Sequence, residues 1–311
     1  MGLDSGEAID LSELRFRFDI RRGDRQTPNS ANIRVYNVGP QIAQRVQLEF
    51  TRVVVQAGYD GNYGIIFDGQ IKQIRRGRES QTDTYLDITA ADGDSAYNYS
   101  VTSRSLAAGA NTPNDAVSAI LRDMARHGIQ QGYIPDLPGD PLPRGKVLYG
   151  MSRDIMRQIA DTTATSWSIQ DGKLVMIPQT AYMPGDIPEL TYETGVIGLP
   201  EQTQNGISLK ILLNPNIKIG QAVKLDNEAI QRYQFSLSRG GQLENEQVAP
   251  LNKLNNDGLY YVMNVEYQGD TRGDEWFSNL TCLAIDATVT PIFEPTFPLG
   301  YNYINSIKRY G

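Results

Sequence analysis

A single cysteine and a single histidine among 311 residues remove much enzyme chemistry from consideration. Cys282 has no second cysteine for an intrachain disulfide, and a four-cysteine metal site is excluded. Mid-strand on an apparent inward face, it reads as small core rather than nucleophile. A Ser-His-Asp or Cys-His site needs a base of near-neutral pKa. The only candidate, His127, falls in what reads as the last turn of a helix before Gly128, where an imidazolium suits the helix dipole and can cap carbonyls. Long hydrophobic runs are also missing, and none approaches the ~18 residues of a spanning helix. The acidic start, Met1–Glu7, has neither the basic opening nor the apolar stretch of a signal peptide, so the expectation is a protein made and kept in cytoplasm. Excess positive charge is absent too. The net charge of −7 leaves no broad basic face to grip nucleic acid by counterion release. No phosphate-cradling glycine loop occurs. Asp92-Gly93-Asp94 begins like a calcium loop but lacks the closing Glu, and reads as a strand-ending turn. No metal or cofactor is expected.

What the sequence does contain is alternation. Phe16, Phe18 and Ile20 fall on one face of a period-two stretch. Ala31–Val38, Arg52–Tyr59, Tyr63–Ile74 and Thr84–Asp92 read as further strands, rich in β-branched and aromatic residues, with a short helix from Pro40 to Leu48. From about residue 96 the period changes. Thr112-Pro113-Asn114-Asp115 supplies a capping hydroxyl, a proline at the first helical position and an acidic first turn. Ala116, Val117, Ile120, Leu121 and Met124 then share a face. A second helix is expected from a Ser152 cap, with Met151 and Met156 spaced as a hydrophobic staple and Ile155, Met156, Ile159 and Ala160 as its buried stripe. Asp171-Gly172 between Trp167–Gln170 and Lys173–Ile177 signals a type I′ hairpin. Strands return in Gly206–Leu213, Gln221–Asp226, Tyr260–Tyr267 and Trp276–Ile285.

These patterns divide the chain into β-rich residues 1–95, an α+β part 96–186, β-rich residues 187–286 and a tail 287–311. Phe67–Ile74 with Tyr85–Asp92 has the same layout as Tyr260–Tyr267 with Phe277–Asp286; an internal repeat and a chance likeness of alternating strands both remain open. Arg75-Arg76-Gly77-Arg78 and Arg21-Arg22-Gly23-Asp24-Arg25 are the basic clusters, read as charged hairpin ends or a partner-facing salt-bridge rim. Asp270, Asp274 and Glu275 could in principle serve a glycosidase. However, they share one hairpin tip with Arg272, the expected look of a solvated turn and a candidate partner contact. The tail carries Phe293, Phe297, Leu299, Tyr301 and Tyr303 among prolines, too apolar for a free end. Packing on its own chain and docking on a partner are both open.

Three stretches together resemble the baseplate hub proteins of contractile-tailed bacteriophages. They are Ser30–Asn37 after the Phe16/Phe18 strand; Gly150-Met151-Ser152 with its helix, Trp167 and the Asp171-Gly172 hairpin; and Gly198–Asp226 with the Gly269–Trp276 turn. The resemblance implies two similar small antiparallel barrels, like tail-tube modules, flanking a compact α/β domain. It also implies a homotrimer whose six barrels match the six-fold tail tube and whose three-fold end seats the membrane-puncturing spike. Partners would be tube, spike and other baseplate proteins, assembled in the host cytoplasm into the virion tail. Viral DNA would pass without specific binding, and no stable membrane association is implied. A peptidoglycan- or carbohydrate-cleaving enzyme on β-modules, and the equivalent hub of a contractile secretion system, are the competing readings.

Overall fold

The computed structural model describes residues 7–285 apart from 110, 142, 204–205, 227–229 and 231–257. The first β-rich region contains β1 (Phe16–Gly23), β2 (Ser30–Tyr36), helix α1 (Pro40–Glu49), β3 (Arg52–Tyr59), β4 (Asn62–Arg78) and β5 (Thr84–Ala91). The α+β region follows with α2 (Asp94–Tyr99), β6 (Val101–Leu106), α3 (Pro113–Met124), a 3-10 turn over Ala125–His127, β7 (Gln130–Gln131), β8 (Lys146–Met151), α4 (Ser152–Thr162), β9 (Thr165–Gln170) and β10 (Lys173–Pro178). The last region holds β11 (Glu189–Leu190), β12 (Val196–Thr203), β13 (Gly206–Leu212), β14 (Ala222–Leu225), β15 (Leu259–Asp270) and β16 (Trp276–Ala284). The chain is thus mainly β, with a compact α/β part between two β-rich halves. No described helix is long and apolar enough to cross a membrane.

The two halves repeat one strand order. The first runs β1-β2-β5-β4-β3 and the second β12-β13-β16-β15-β14. Their central hairpins carry a β-bulge at the same place. β4 slips against β5 between Ile71 and Gln73, and β15 slips against β16 between Val262 and Asn264. After each slip a threonine lies opposite, Thr89 in one half and Thr281 in the other. A bulge bends and twists its strand, so shared bulges give the two halves the same local curvature.

The halves also join edge to edge. β1 pairs antiparallel with β15, Arg17 opposite Asp270 through to Gly23 opposite Asn264, which makes one continuous sheet. Side chains alternate across that sheet. Phe18, Ile20, Ile33, Val35, Leu86 and Ile88 point inward with Leu209, Ile211, Val265, Tyr267 and Leu280 to form a single core spanning both halves. Helix α1 lays Ala43 and Val46 onto that core. Cys282 lies in it too, fully buried, and burial pushes its thiol up to about 12.

The α+β part has its own core of Val117, Ile120, Met124, Met156, Trp167 and Leu174. Thr112 caps α3 as expected, in a full capping box with Asp115. Gly128 ends the following turn at φ 88°. Asp171 and Gly172 take φ 52° and 71°, as a type I′ turn requires. The expected Ser152 cap is not found. Met151 holds the cap position without a side-chain bond, and Ser152 is the first helical residue. Its buried hydroxyl instead meets those of Ser100 at 2.7 Å and Thr102 at 2.8 Å. That network competes successfully for a hydroxyl that would otherwise cap, and Met151 stands at the cap position rather than before it, one residue off the spacing expected of a staple with Met156.

Candidate functional site

Two clusters of charge fix the sheet junctions, and a third set of residues forms its exposed polar face. The first cluster is where the α+β part meets the sheet. Period-two alternation continues from Phe18 and Ile20 to Arg22, so this arginine points inward and is buried. Its guanidinium donates to the Ile66 carbonyl at 3.0 Å, to Gln170 Oε1 at 3.2 Å and to Asp171 Oδ2 at 2.8 Å. Burial opposes its charge, but Asp171, Tyr267 and Asp92 together more than offset this and the pKa is raised. Reading Arg22 as part of a charged hairpin end is therefore corrected. Period-two register was the signal that could have found it.

Asp92 completes this junction. Its carboxylate accepts the N–H groups of Asp171 and Gly172 at 2.5 and 2.9 Å, so it holds the tip of the β9–β10 hairpin. Burial pushes Asp92 up to about 7, against the pull of those donors and of Arg22. Asn29 adds bonds from its side-chain amide to the Ile169 carbonyl and Gln170 Oε1. His127 has its Nδ1 2.9 Å from Ser95 Oγ, in keeping with a structural role.

The second cluster lies on the opposite, polar face, at the seam between β1 and β15. Asp270 is buried and accepts from Arg15 at 2.7 and 3.2 Å and from Arg17 at 2.6 Å. It also accepts the Arg272 backbone N–H at 3.0 Å. Arg15, and with it Arg17, holds this carboxyl well below the usual range despite burial. Both guanidiniums lie over the Tyr36 ring. Asp270 is thus no solvated turn residue. The turn folds back onto two arginines distant in sequence, which local composition cannot reveal. Arg272 and Asp274 remain exposed at the tip. Phe293, Phe297, Leu299, Tyr301 and Tyr303 lie outside the described residues.

Replacing Asp270 by alanine leaves two half-exposed arginines facing each other, and an unfolding free energy about 2 kcal/mol lower is expected. Urea titration of the purified variant would check this. A midpoint equal to wild type would show that the seam does not depend on the carboxylate.

Around this seam the polar face is charge-paired. Arg34 bonds Asp87 at 2.7 Å, Arg75 lies 3.7 Å from Asp87, and Arg21 lies 3.3 Å from Asp19 and 3.9 Å from Glu266. A shallow cavity of about 420 Å³ opens here, lined by Arg17, Asp19, Asn32, Arg34, Asp87 and Gln268 among others. Lys210 sits over the Phe277 ring at 3.3 Å. Among the described residues, no group of three or more His, Cys, Asp or Glu could hold a metal ion.

This architecture is one that solved structures share. A 43 kDa tail protein of prophage MuSo2 from Shewanella oneidensis superposes with a TM-score of 0.55 at 9% identity, covering 89% of this chain and 96% of that one. An E. coli protein described as a component of the type VI secretion system, similar in structure to the T4 tail proteins gp27 and gp5, gives 0.56 at 11% identity, covering 96% and 78%. A tail protein from Neisseria meningitidis MC58 gives 0.53 at 11% identity, covering 86% and 91%. Identities this low define a fold class, that of phage tail and related proteins. Among curated proteins, none matches the chain. The family is settled by sequence: the model of the baseplate hub gp41 family matches residues 29–230, well over half of the chain, and the chain belongs to that family. Its role is accordingly a structural one in a phage baseplate.

Proposed function

We propose that the protein is the symmetry adaptor of a phage tail, a homotrimer that joins the six-fold tail tube to a three-fold cell-puncturing spike and lines part of the DNA channel. The observation that carries this reading is the strand order repeated in the two halves. Three chains, each with two like modules, present six like surfaces at one end, while their other elements keep three-fold symmetry. On this reading residues 1–95 and 187–286 are the tube-like units, 96–186 the intervening domain and 287–311 a strap. The charge-paired polar face suits a channel lining, because arginines already held by carboxylates have little left to offer passing phosphates. The exposed Arg272 and Asp274 and the tail aromatics Phe293, Phe297, Leu299, Tyr301 and Tyr303 are the proposed partner contacts, the tail binding the spike. The reading assigns the chain no catalysis of its own.

Mass photometry of the full chain with tube and spike proteins should give a species containing three copies. Monomers alone under every condition would overturn the trimer. Deleting residues 291–311 should leave the chain folded but abolish co-sedimentation with the spike protein. Normal spike recruitment by the shortened chain would refute the strap.

A further inference from the structure

The two-stranded ribbon of the α+β part has a buried face and an open one. β6 pairs antiparallel with β8, Val101 opposite Met151, Ser103 opposite Tyr149 and Ser105 opposite Val147. Thr102 and Leu148 point the other way and are buried, Leu148 in the core of this part. The outward side chains are Val101, Ser103, Ser105, Val147, Tyr149 and Met151, none of them charged. Val101, Val147 and Tyr149 are 55%, 71% and 79% exposed, and Tyr99, at the end of α2, is 69% exposed. Together these make roughly 300 Å² or more of open apolar area, a size that marks an interaction surface.

We propose that the tail, residues 287–311, lies over this face of its own chain while the protein is free, and exchanges it for the spike during assembly. This rests on the reading of the tail as a spike-binding strap, and says where the strap is kept beforehand.

The two surfaces match in chemistry. Pro291–Ser306 has Glu294 as its one charged residue and offers Phe293, Phe297, Leu299, Tyr301 and Tyr303 to an uncharged face. Pro291, Pro295 and Pro298 favour an extended course, which lays side chains along a flat ribbon. They also lack N–H donors, so the segment suits the face of the ribbon rather than its edge.

The tail also starts close by. β16 ends at Ala284, opposite Tyr260. Beside that rung Tyr261 donates to Asp24, two residues past Arg22 at the junction with the α+β part. Gly220, whose N–H bonds the Val262 carbonyl, leaves no room for a side chain against Ile177 of β10. The chain therefore leaves the sheet at the end that carries the α+β part. At ~3.3 Å per extended residue, Phe293 can lie ~26 Å beyond Ile285 and Tyr303 ~60 Å. A unit of about 90 residues is only about 30 Å across, so the aromatics reach the ribbon on whichever side it faces. A tether this short holds them at a roughly millimolar effective concentration, which favours a chain's own tail over a neighbour's.

Photo-crosslinking tests this on the full chain, because Cys282 is buried and leaves an introduced cysteine as the labelled site. Tyr149→Cys, labelled with benzophenone maleimide and irradiated in dilute solution, should give a crosslink to residues 287–311 within the single-chain band of a denaturing gel. Tyr63→Cys, also exposed but outside the ribbon, should give at most a tenth of that yield. Adding spike protein before irradiation should lower the tail crosslink at least fivefold. As a second measure, Val147→Asp should speed chymotryptic cleavage within the tail at least threefold, since a charge at this exposed site weakens docking without entering the core. No tail crosslink and unchanged cleavage would overturn the docking; spike recruitment that still needs residues 291–311 would then leave the strap reading standing. A tail crosslink confined to multi-chain bands would overturn the assignment to the tail's own chain. One undiminished by bound spike would overturn the exchange.

Discussion

Replacing Arg22 by alanine is expected to lower the free energy of unfolding by about 3–5 kcal/mol, the cost of breaking a buried charge pair by removing one partner. Three acceptors lose a donor at once, the Ile66 carbonyl, Gln170 Oε1 and Asp171 Oδ2, of which Gln170 Oε1 keeps its bond from Asn29. Asp171 then loses its ion-pair partner beside the carboxylate of Asp92, at the point where the α+β part is held to the sheet. Arg25, three residues on and exposed, provides the comparison, and its alanine variant should stay within about 0.5 kcal/mol of wild type. Urea unfolding of the two variants side by side decides the matter. Equal midpoints would mean that the junction holds without the guanidinium.

The second large effect is a loss of stability as pH rises through neutrality. The folded protein holds the Asp92 proton more tightly than the unfolded chain does, since its carboxyl is raised from 3.8 to about 7. Its contribution is complete below pH 3.8 and is lost as pH climbs through about 7. At roughly 1.4 kcal/mol per pKa unit this amounts to up to about 4 kcal/mol between pH 4 and 8. Asp24, raised by burial to about 6 although Tyr261 donates to it, acts in the same direction. Asp270 acts oppositely: its depressed carboxyl contributes above 3.8, and that contribution is lost as pH falls further. Substituting Asp92 by asparagine costs one hydrogen bond at every pH, so the diagnostic quantity is the slope. Unfolding free energies at pH 5 and pH 8 should differ much less in the variant than in wild type. An unchanged difference would place the titration elsewhere.

Local signals in the sequence carried much of the architecture. Alternation placed β1 through β5, Thr112-Pro113 placed the start of α3, and Asp171-Gly172 placed the type I′ turn, because each depends on residues close in the chain. The likeness of the two hairpins was visible as a layout, and the structure adds the matching bulges and strand order. The seam between β1 and β15 was not legible. It joins positions some 250 residues apart, and pairing between strands leaves no mark on either strand's own periodicity. The same separation hid Arg15 and Arg17 behind Asp270, which read as an ordinary polar turn. Ser152 misled for a related reason: a hydroxyl before a helix looks like a cap until Ser100, which ends α2, and Thr102 of β6 arrive beside it.

The seam also gives the molecule a mechanical grain. Seven facing residue pairs hold β1 to β15. A force along the strands loads those rungs together, in shear, whereas a force across them opens the joint one rung at a time, like a zip. Arg15, Arg17 and Asp270 sit at the end where such peeling would start. A joint loaded in this way is best fastened where a crack would otherwise begin, and there one buried carboxylate grips two arginines of the facing chain segment.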